Sequence, residues 1–161
     1  MIKKIISKKN QGFGMMEIII VIGIIGLALA GIAGFSNFIL KTNTKIKHEA
    51  TAVYLAQEAL EAARAVKEEN WPALTVLTPG SPYHPAQSAG KWVISAGSES
   101  NNGYTRQIVL SNVSRDTNDD IVTSGGVDDP GTKKMTATVS WTDQGQNYQT
   151  VLSAYFTNWK P

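Results

Sequence analysis

The chain has 161 residues, 42% of them apolar, which is enough for one domain of ordinary size with an appendage. It contains no cysteine, and this excludes a disulfide framework, cysteine-based metal sites and thiol catalysis. The net charge is +2, and subtracting the four lysines of the first twelve residues leaves −2 for the remainder. Because the other basic residues are scattered among acids, the sequence predicts no nucleic-acid partner.

The N-terminal part of the chain predicts a membrane-spanning helix. Lys3, Lys4, Lys8 and Lys9 precede residues 18–40, a stretch of 23 positions without a charge. A helix of that length is about 35 Å long, enough to cross a hydrocarbon core of about 30 Å. The positive-inside rule places the N-terminus in the cytoplasm and the rest outside, so a single-pass membrane protein is expected.

Three forms of processing fit this segment. An ordinary secretory signal would be cut after the small-x-small sequence at residues 28–30, before Gly31. An uncleaved signal anchor would keep Met1. A third kind of leader would be cut between Gly12 and Phe13, on the cytoplasmic side of the membrane.

Glu17 is the charged residue that helps to separate these alternatives. A charged side chain inside a membrane helix costs roughly 2.5 to 3.5 kcal/mol on insertion scales and usually has a partner. Cleavage before Phe13 would create an α-amino group one helical turn from Glu17, on its own or an adjacent subunit. In the alternative interpretation, Glu17 only marks the polar edge of the anchor.

The stretch KKNQGFGMME at residues 8–17, followed by the aliphatic run, resembles the class III leader of type IV pilins and type II secretion pseudopilins. In that family a glycine precedes the cut, a phenylalanine becomes the new N-terminus and a glutamate lies four residues further on. Gly12, Phe13 and Glu17 match these positions. The resemblance implies that a prepilin peptidase removes residues 1–12 and N-methylates Phe13. It also implies that Glu17 pairs with the N-terminal amine of the preceding subunit during filament assembly.

Residues 41–71 predict that the helix continues beyond the membrane. Apolar residues recur there at intervals of three and four, as an amphipathic helix requires. They are Ile46, Ala50, Val53, Ala56, Leu60, Ala63 and Val66. Pro72 is expected to end the helix, since it has no backbone donor and restricts the residue before it. From residue 13 to 70 the helix would be about 87 Å long, which suits packing in a filament.

Few residues in the chain favour catalysis. Glu58 and Glu61 could form an acid pair in an active site, but Arg64 follows Glu61 by three residues, so a solvated face with charge pairing is the favoured interpretation. His48 and His84 lie outside any catalytic motif and are predicted to be exposed. The sequence therefore predicts that the protein is not an enzyme.

Residues 72–161 predict a small antiparallel sheet with one solvated face. The expected elements are a connecting loop at 72–90, strands at 91–96, 104–113, 134–142 and 149–157, and a hairpin turn at 143–146. The inner face of the sheet is expected to pack against the small residues of the helix. The four tryptophans are predicted to contribute to packing, and they are Trp71, Trp92, Trp141 and Trp159.

A further loop is predicted at residues 115–134, and it is rich in aspartate. Its acids are Asp116, Asp119, Asp120, Asp128 and Asp129. Clustered carboxylates with Asn and Gly are typical of hard-cation sites, and some pseudopilins hold calcium in a comparable loop. The spacing lacks the every-second-residue ligands of an EF-hand loop, so a solvated loop without a cofactor is the favoured interpretation and calcium the alternative.

Together these predictions describe an α+β, pilin-like chain. It would consist of a leader at 1–12, a membrane or filament-core helix at 13–40, an amphipathic helix at 41–71 and a head domain at 72–161. The resemblance implies four kinds of partner: identical or related pilin subunits, prepilin peptidase and methyltransferase, the pilus or secretion assembly machinery, and membrane lipid before assembly. It also implies an extracellular or periplasmic filament. The alternative is a secreted or membrane-anchored cell-surface binding module with an ordinary signal sequence.

Overall fold

The computed structural model describes residue 12 and residues 14–159, and its fold is α+β, as predicted. The helices are α1 (Met15–Glu69) and α2 (Trp71–Thr75). The strands are β1 (Pro82–Ser88), β2 (Lys91–Ala96), β3 (Glu99–Asn101), β4 (Tyr104–Arg115), β5 (Ile121–Val122), β6 (Val127–Asp143) and β7 (Gln146–Thr157). Residues 1–11 of the predicted leader, and Phe13, lie outside the described residues.

The chain divides into two compact units, Met1–Lys45 and Ile46–Pro161. In the first unit, α1 contains a segment near the N-terminus that is long and apolar enough to cross a membrane, and none of that segment is buried. An apolar signal sequence has the same length and composition. In the second unit, the remainder of α1 forms a common core with α2 and the sheet.

A stripe of small residues on α1 packs against the sheet. The buried positions are Ala52, Ala56, Ala59, Ala62, Ala63 and Val66. The expectation that the small-residue face of the helix covers the sheet is confirmed, but the predicted register is partly wrong, because Ile46 and Ala50 are exposed. Alanine suits these buried positions because its short side chain lets the helix backbone approach the large side chains of the sheet closely.

The strands form one antiparallel sheet in the order β2-β1-β4-β6-β7, with β3 and β5 also paired to β4. All four predicted strands are present, and β4, β6 and β7 are longer than expected. The predicted loop at 72–90 is wrong in part, since it contains most of α2 and all of β1. The predicted loop at 115–134 is also wrong in part, since it contains β5 and the start of β6.

The prolines at 72–90 favoured a loop in the prediction, but Pro72, Pro82 and Pro85 lie where a helix or strand tolerates proline. Pro72 lies in the first turn of α2, where a missing N–H breaks no helical hydrogen bond. A short helix can therefore start at Trp71, separated from the end of α1 by Asn70 alone. Pro82 starts β1, and Pro85 lies beyond the two residues of β1 that pair with β4. Proline is tolerated in a strand where one side has no neighbour.

The inner face of the sheet follows the predicted alternation. On β6 the buried side chains are Met135, Ala137, Val139 and Trp141, and the residues between them face the other side. On β4 the pattern shifts after Leu110, because an irregularity between Asn112 and Ser114 turns Val113 inward. Burying a side chain such as Ile108 contributes about 1.5 to 3 kcal/mol.

The hairpin between β6 and β7 is confirmed. Asp143 pairs with Gln146, so Gln144 and Gly145 form a two-residue turn. Both have positive φ, 48° for Gln144 and 77° for Gly145. This is the conformation of a type I′ turn, which matches the twist of the flanking strands.

Candidate functional site

The predicted processing site precedes the first turn of α1. Gly12 is exposed and lies outside any regular element, and the helix begins at Met15. The backbone N–H of Glu17 donates to the carbonyl of Gly14 over 3.0 Å, so the first helical hydrogen bond closes on Glu17. Phe13, the predicted new N-terminus, lies outside the described residues.

Glu17 occupies the first turn of a helix, where free backbone N–H groups carry partial positive charge. A carboxylate there gains about 0.3 to 1 kcal/mol from the helix dipole, which offsets only part of its cost in a membrane interior. The structure thus adds an electrostatic reason for Glu17 that the sequence did not suggest. The helix N-terminus and a nearby α-amine both carry positive charge, so both attract this carboxylate.

The surface of α1 that follows Glu17 is apolar on every side. Its large side chains are exposed throughout the segment, and they include Ile18, Ile19, Ile20, Val21, Ile22, Ile24, Ile25, Leu27, Leu29, Ile32, Phe35, Phe38, Ile39 and Leu40. A soluble helix leaves a polar face, whereas this one does not. An apolar surface of this extent is typical of a membrane or protein contact, and a signal sequence has the same character.

Two hydroxyl side chains of α1 bond to the preceding turn of the helix. The Ser36 hydroxyl donates to the carbonyl of Ile32 over 2.9 Å. The Thr42 hydroxyl does the same to Phe38 over 2.9 Å. Such bonds to the preceding turn allow hydroxyl side chains to lie in an apolar medium without an external partner.

No family model, no curated protein and no solved structure matches this chain.

Glu58 lies in an ion cluster between α1 and the sheet. Arg106, on the inner face of β4, donates from Nη1 to Glu58 Oε2 over 2.6 Å and to the carbonyl of Leu55 over 3.0 Å. Its Nε donates to Glu99 Oε1 on β3 over 2.6 Å. The prediction that Glu58 belongs to a solvated face is therefore wrong, because the guanidinium draws its carboxylate to the helix–sheet boundary.

Glu61 and Glu58 do not form an acid pair. Glu61 Oε1 accepts from Arg64 Nη1 over 2.7 Å, and both side chains are exposed, so the predicted i,i+3 charge pair is confirmed. The two glutamates are thus each paired with a different arginine. This arrangement neutralises both carboxylates and ties α1 to β4 through one of them.

Sequence reasoning missed Arg106, although the signal was present. In β4 the alternate residues Tyr104, Arg106, Ile108 and Leu110 share the buried face. An arginine at an inward position requires buried acceptors. Glu58, which the predicted pairing of Glu61 with Arg64 left without a partner, was the candidate acceptor on the covering helix.

Both histidines are half-buried and hydrogen-bonded, so the prediction that they are exposed is wrong. His48 Nδ1 lies 2.6 Å from the Tyr104 hydroxyl, and this bond joins α1 to β4. His84 Nδ1 lies 3.3 Å from the carbonyl of Gly97. The ring of Tyr104 also lies beside the ring of Trp141, with 6.0 Å between the two centroids.

The tryptophans follow the prediction with one exception. Trp71 and Trp141 are buried in the core, and Trp92 packs against it partly exposed. Trp159 is 71% exposed, so its predicted role in packing is wrong. It lies beyond the end of β7, where no strand continues to position it.

The five acids of the aspartate-rich segment differ in the partners that they contact. Asp116 Oδ1 accepts the backbone N–H groups of Asn118 and Asp120 over 2.8 and 3.0 Å. This is the geometry of an Asx turn, which closes the tight chain reversal before β5. Asp119, Asp120 and Asp128 are exposed.

Asp129 forms a different set of contacts. Its Oδ2 accepts from Arg115 Nε over 2.7 Å, and its Oδ1 accepts from the N–H of Gly131 over 2.9 Å. Hydrogen bonding by Thr132, and then by Arg115, holds the pKa of Asp129 below its ordinary value. The same contact with Asp129 raises the pKa of Arg115.

The structure does not bring these carboxylates together as ligands. Across residue 12 and residues 14–159, no group of three or more His, Cys, Asp or Glu side chains is placed to hold a metal. Asp116 and Asp129 use their oxygens for backbone and guanidinium donors instead. Calcium binding by this segment stays the untested alternative, and local protein contacts already account for these two residues.

Proposed function

We propose that this chain is a structural subunit of a filament of the type IV pilus or type II secretion pseudopilus kind. The observation that carries the proposal is the order of features at the N-terminus. Gly12 and Phe13 precede the helix start, Glu17 lies in the first turn, and an apolar helix follows without a polar face. The function proposed is mechanical, and no catalytic role is assigned to the chain.

The apolar surface of α1 supports two successive environments. Lipid surrounds it while the chain is a single-pass membrane protein with a cytoplasmic N-terminus. Neighbouring helices of the same kind then replace the lipid when subunits assemble. Both environments are apolar, so the exchange leaves no large surface exposed to water.

Glu17 gives the assembly its register. Without a partner, its carboxylate costs roughly 2.5 to 3.5 kcal/mol in the membrane interior. Removal of the leader by a prepilin peptidase and methyltransferase frees the amine of Phe13. A correctly staggered subunit brings that amine to Glu17 of its neighbour, and a shifted subunit leaves the carboxylate unpaired.

The second compact unit supports display on the filament. Ile46–Pro161 has its own core, built from the alanine stripe of α1 and the inner face of the sheet. Its stability therefore does not depend on whether the first unit contacts lipid or other helices. Such a unit can pass from the membrane to an extracellular or periplasmic filament without refolding.

The alternative is a secreted or membrane-anchored surface module. Its basis is that an apolar N-terminal helix also fits an ordinary signal, and that the small-x-small sequence at 28–30 precedes Gly31. In that case Glu17 would have only the helix N-terminus as its electrostatic partner.

N-terminal sequencing and intact mass of the mature chain, expressed with a prepilin peptidase, distinguish these functions. We expect a start at N-methylated Phe13. Gly12→Val should block that cut, whereas Ala30→Leu, which disrupts the signal site, should leave it unchanged. A start at Gly31, or an intact Met1 in the wild-type chain, contradicts the proposal.

A further inference from the structure

Gly14 is the residue at which α1 begins. Its carbonyl accepts from the backbone N–H of Glu17 over 3.0 Å and from that of Ile18 over 3.3 Å. Gly14 itself lies outside the helix, whose first residue is Met15. A residue that accepts the first helical hydrogen bonds from a position outside the helix is the N-cap. Gly14 is therefore the N-cap of α1.

This N-cap lies close to the bond that the proposed function requires to be cut. Gly12 is exposed and belongs to no regular element, and the same holds for Gly14. Among the described residues, α1 therefore stops short of Gly12, whose carbonyl carbon belongs to the bond that joins the leader to the rest of the chain.

Neither glycine is needed to avoid a clash or to adopt a left-handed backbone. A Cβ added at Gly12 or Gly14 would find no heavy atom within 4 Å beyond its chain neighbours, and neither residue has a positive φ. Alanine would therefore fit at Gly14 without strain. What glycine changes is the helix itself, because it is about fivefold less favourable than alanine at an interior helical position. A glycine at residue 14 thus opposes extension of α1 toward Gly12.

The helix start matters for cleavage because a helix is a poor substrate for proteolysis. Its backbone N–H and C=O groups are occupied by its own hydrogen bonds. Folded chains are cut at segments that open locally, and enzymes and binding domains contact such segments through the freed backbone groups. A helix that extended through Gly12 would have to unwind before the leader could be removed.

We propose that Gly14 is a positioning residue for leader removal. As the N-cap, it ends α1 before the helix reaches Gly12, and this keeps the bond after Gly12 available to the prepilin peptidase. The inference rests on the proposed function, since it assumes that this bond is cut. Gly14 has no side chain for the peptidase to contact, so its effect passes through the backbone conformation. The same helix start places Glu17 in the first turn.

The kinetics of leader removal test this role in the full-length precursor, held in detergent and mixed with a prepilin peptidase. Gly14→Ala favours extension of the helix, so a smaller fraction of the precursor is open to the enzyme. The apparent affinity falls by that fraction, whereas the cleavage step in the bound complex is unchanged. We therefore expect KM to rise about threefold to fivefold with kcat unchanged.

Two further variants separate helix extension from other effects of the substitution. Gly14→Ser adds a side chain but supplies one of the preferred N-cap residues, so its KM should match that of the wild type. Gly23→Ala is the matched control, because it makes the same substitution inside α1 and its added Cβ also finds no heavy atom within 4 Å. It should leave both KM and kcat unchanged.

Hydrogen exchange in the uncleaved precursor reports on the helix start directly. The backbone N–H groups of Met15 and Met16 belong to the first turn of α1, where a helix supplies no acceptor. In Gly14→Ala these groups gain acceptors from the extended helix, and their exchange should slow about threefold to fivefold. Gly14→Ser should exchange at these positions as the wild type does.

Equal KM values for Gly14→Ala and the wild type would overturn the inference. It would also be overturned by a rise in KM without slower exchange at Met15 and Met16, because the peptidase would then be sensing the added methyl group itself. Both results require that the wild-type precursor is cut before Phe13. A wild-type precursor that the peptidase leaves intact would instead overturn the proposed function, and this inference with it, so the two failures are distinguishable.

Discussion

Arg106 Nη1 on β4 lies 2.6 Å from Glu58 Oε2 on α1, and the arginine side chain is only 10% exposed. This contact ties α1 to β4 at the boundary between helix and sheet. Glu58 keeps 34% of its side-chain surface exposed, so the two charges are not equally desolvated. Removing the arginine and removing the glutamate should therefore have different effects.

Substituting Arg106 by Met should lower the free energy of unfolding by about 2 to 3 kcal/mol, less than for a fully buried pair because water can reach Glu58. Glu58→Gln should cost about 1 to 2 kcal/mol, since Arg106 keeps Glu99. Denaturant unfolding in detergent, followed by tryptophan fluorescence, measures both. The matched control is Glu61→Gln in the exposed pair with Arg64, where the loss should stay within about 0.5 kcal/mol. Equal losses from Glu58→Gln and Glu61→Gln would contradict the assigned role of the cluster.

Enlarging the alanine stripe should separate α1 from the sheet. Ala59 is fully buried, so Ala59→Leu has no space to fill and should destabilise the second unit by about 1 to 3 kcal/mol. Ala65→Leu, on the exposed side of the same helix, should be neutral. Thermal unfolding monitored by near-ultraviolet circular dichroism compares the two. If both variants melt with the wild type, the stripe does not determine the packing distance.

Glu17→Ala tests assembly independently of folding. We expect leader cleavage to continue and the head to fold normally, while incorporation into filaments falls about 100-fold, as a pairing of roughly 2.5 to 3.5 kcal/mol predicts. Shearing filaments from cells and comparing them with the membrane fraction gives the measurement. Glu49→Ala, an exposed acid on the same helix, is the matched control. Normal filaments from Glu17→Ala would remove the role assigned to the carboxylate.

The lowered pKa of Asp129 predicts a stability change that depends on pH. Because the folded pKa lies below the ordinary value of 3.8, the contact stabilises the fold fully above that value and is lost as the pH falls through the folded pKa. Asp129→Asn should therefore destabilise the chain at pH 7, by about 1 kcal/mol, and should match the wild type below the folded pKa. Asp128→Asn, at an exposed position, is the matched control and should leave the stability at pH 7 unchanged. A constant difference between Asp129→Asn and wild type at all pH values would contradict this.

Calcium binding by the same segment can be tested by measuring the melting temperature with and without calcium. If Asp116, Asp119, Asp120, Asp128 and Asp129 supplied ligands, adding calcium would raise the melting temperature, because a ligand bound only to the folded state stabilises it. We expect no rise, since Asp116 and Asp129 are already engaged. A calcium-dependent rise that Asp116→Asn abolishes would establish the metal site.

The turn between β6 and β7 offers one substitution that should raise the stability of the hairpin and one that should lower it. Gln144 has φ of 48°, a left-handed conformation that asparagine tolerates better, so Gln144→Asn should stabilise the hairpin by about 0.5 kcal/mol. Gly145 has φ of 77°, and Gly145→Ala should cost about 1 to 2 kcal/mol. Melting temperatures of both variants give the sign. A loss from Gln144→Asn would mean that another contact holds this turn.

Local features of the sequence predicted the elements that depend on local chemistry. The uncharged run before Leu40, the helix end near Pro72 and the β6–β7 hairpin each follow from residue patterns within a few turns or strands. β1 and β5 escaped prediction although each pairs with a strand close in the chain, β1 with β2 across residues 89–90 and β5 with the end of β4. The proline-rich and aspartate-rich compositions of those segments favour loops when no partner strand is considered.

The order of Gly12, Phe13 and Glu17 before an apolar helix is determined by the sequence alone, and the proposed function depends on that order. Tertiary structure decided which partners the polar groups acquired. Glu58 and His48 were assigned to solvent because helical periodicity defines a face but not what covers it. The sheet brought Arg106 and Tyr104 to those two side chains, and a buried polar group must then be paired. Likewise, no property of β7 as a sequence made it an edge: the strand order did, by placing it where β6 is its one neighbour among the described strands.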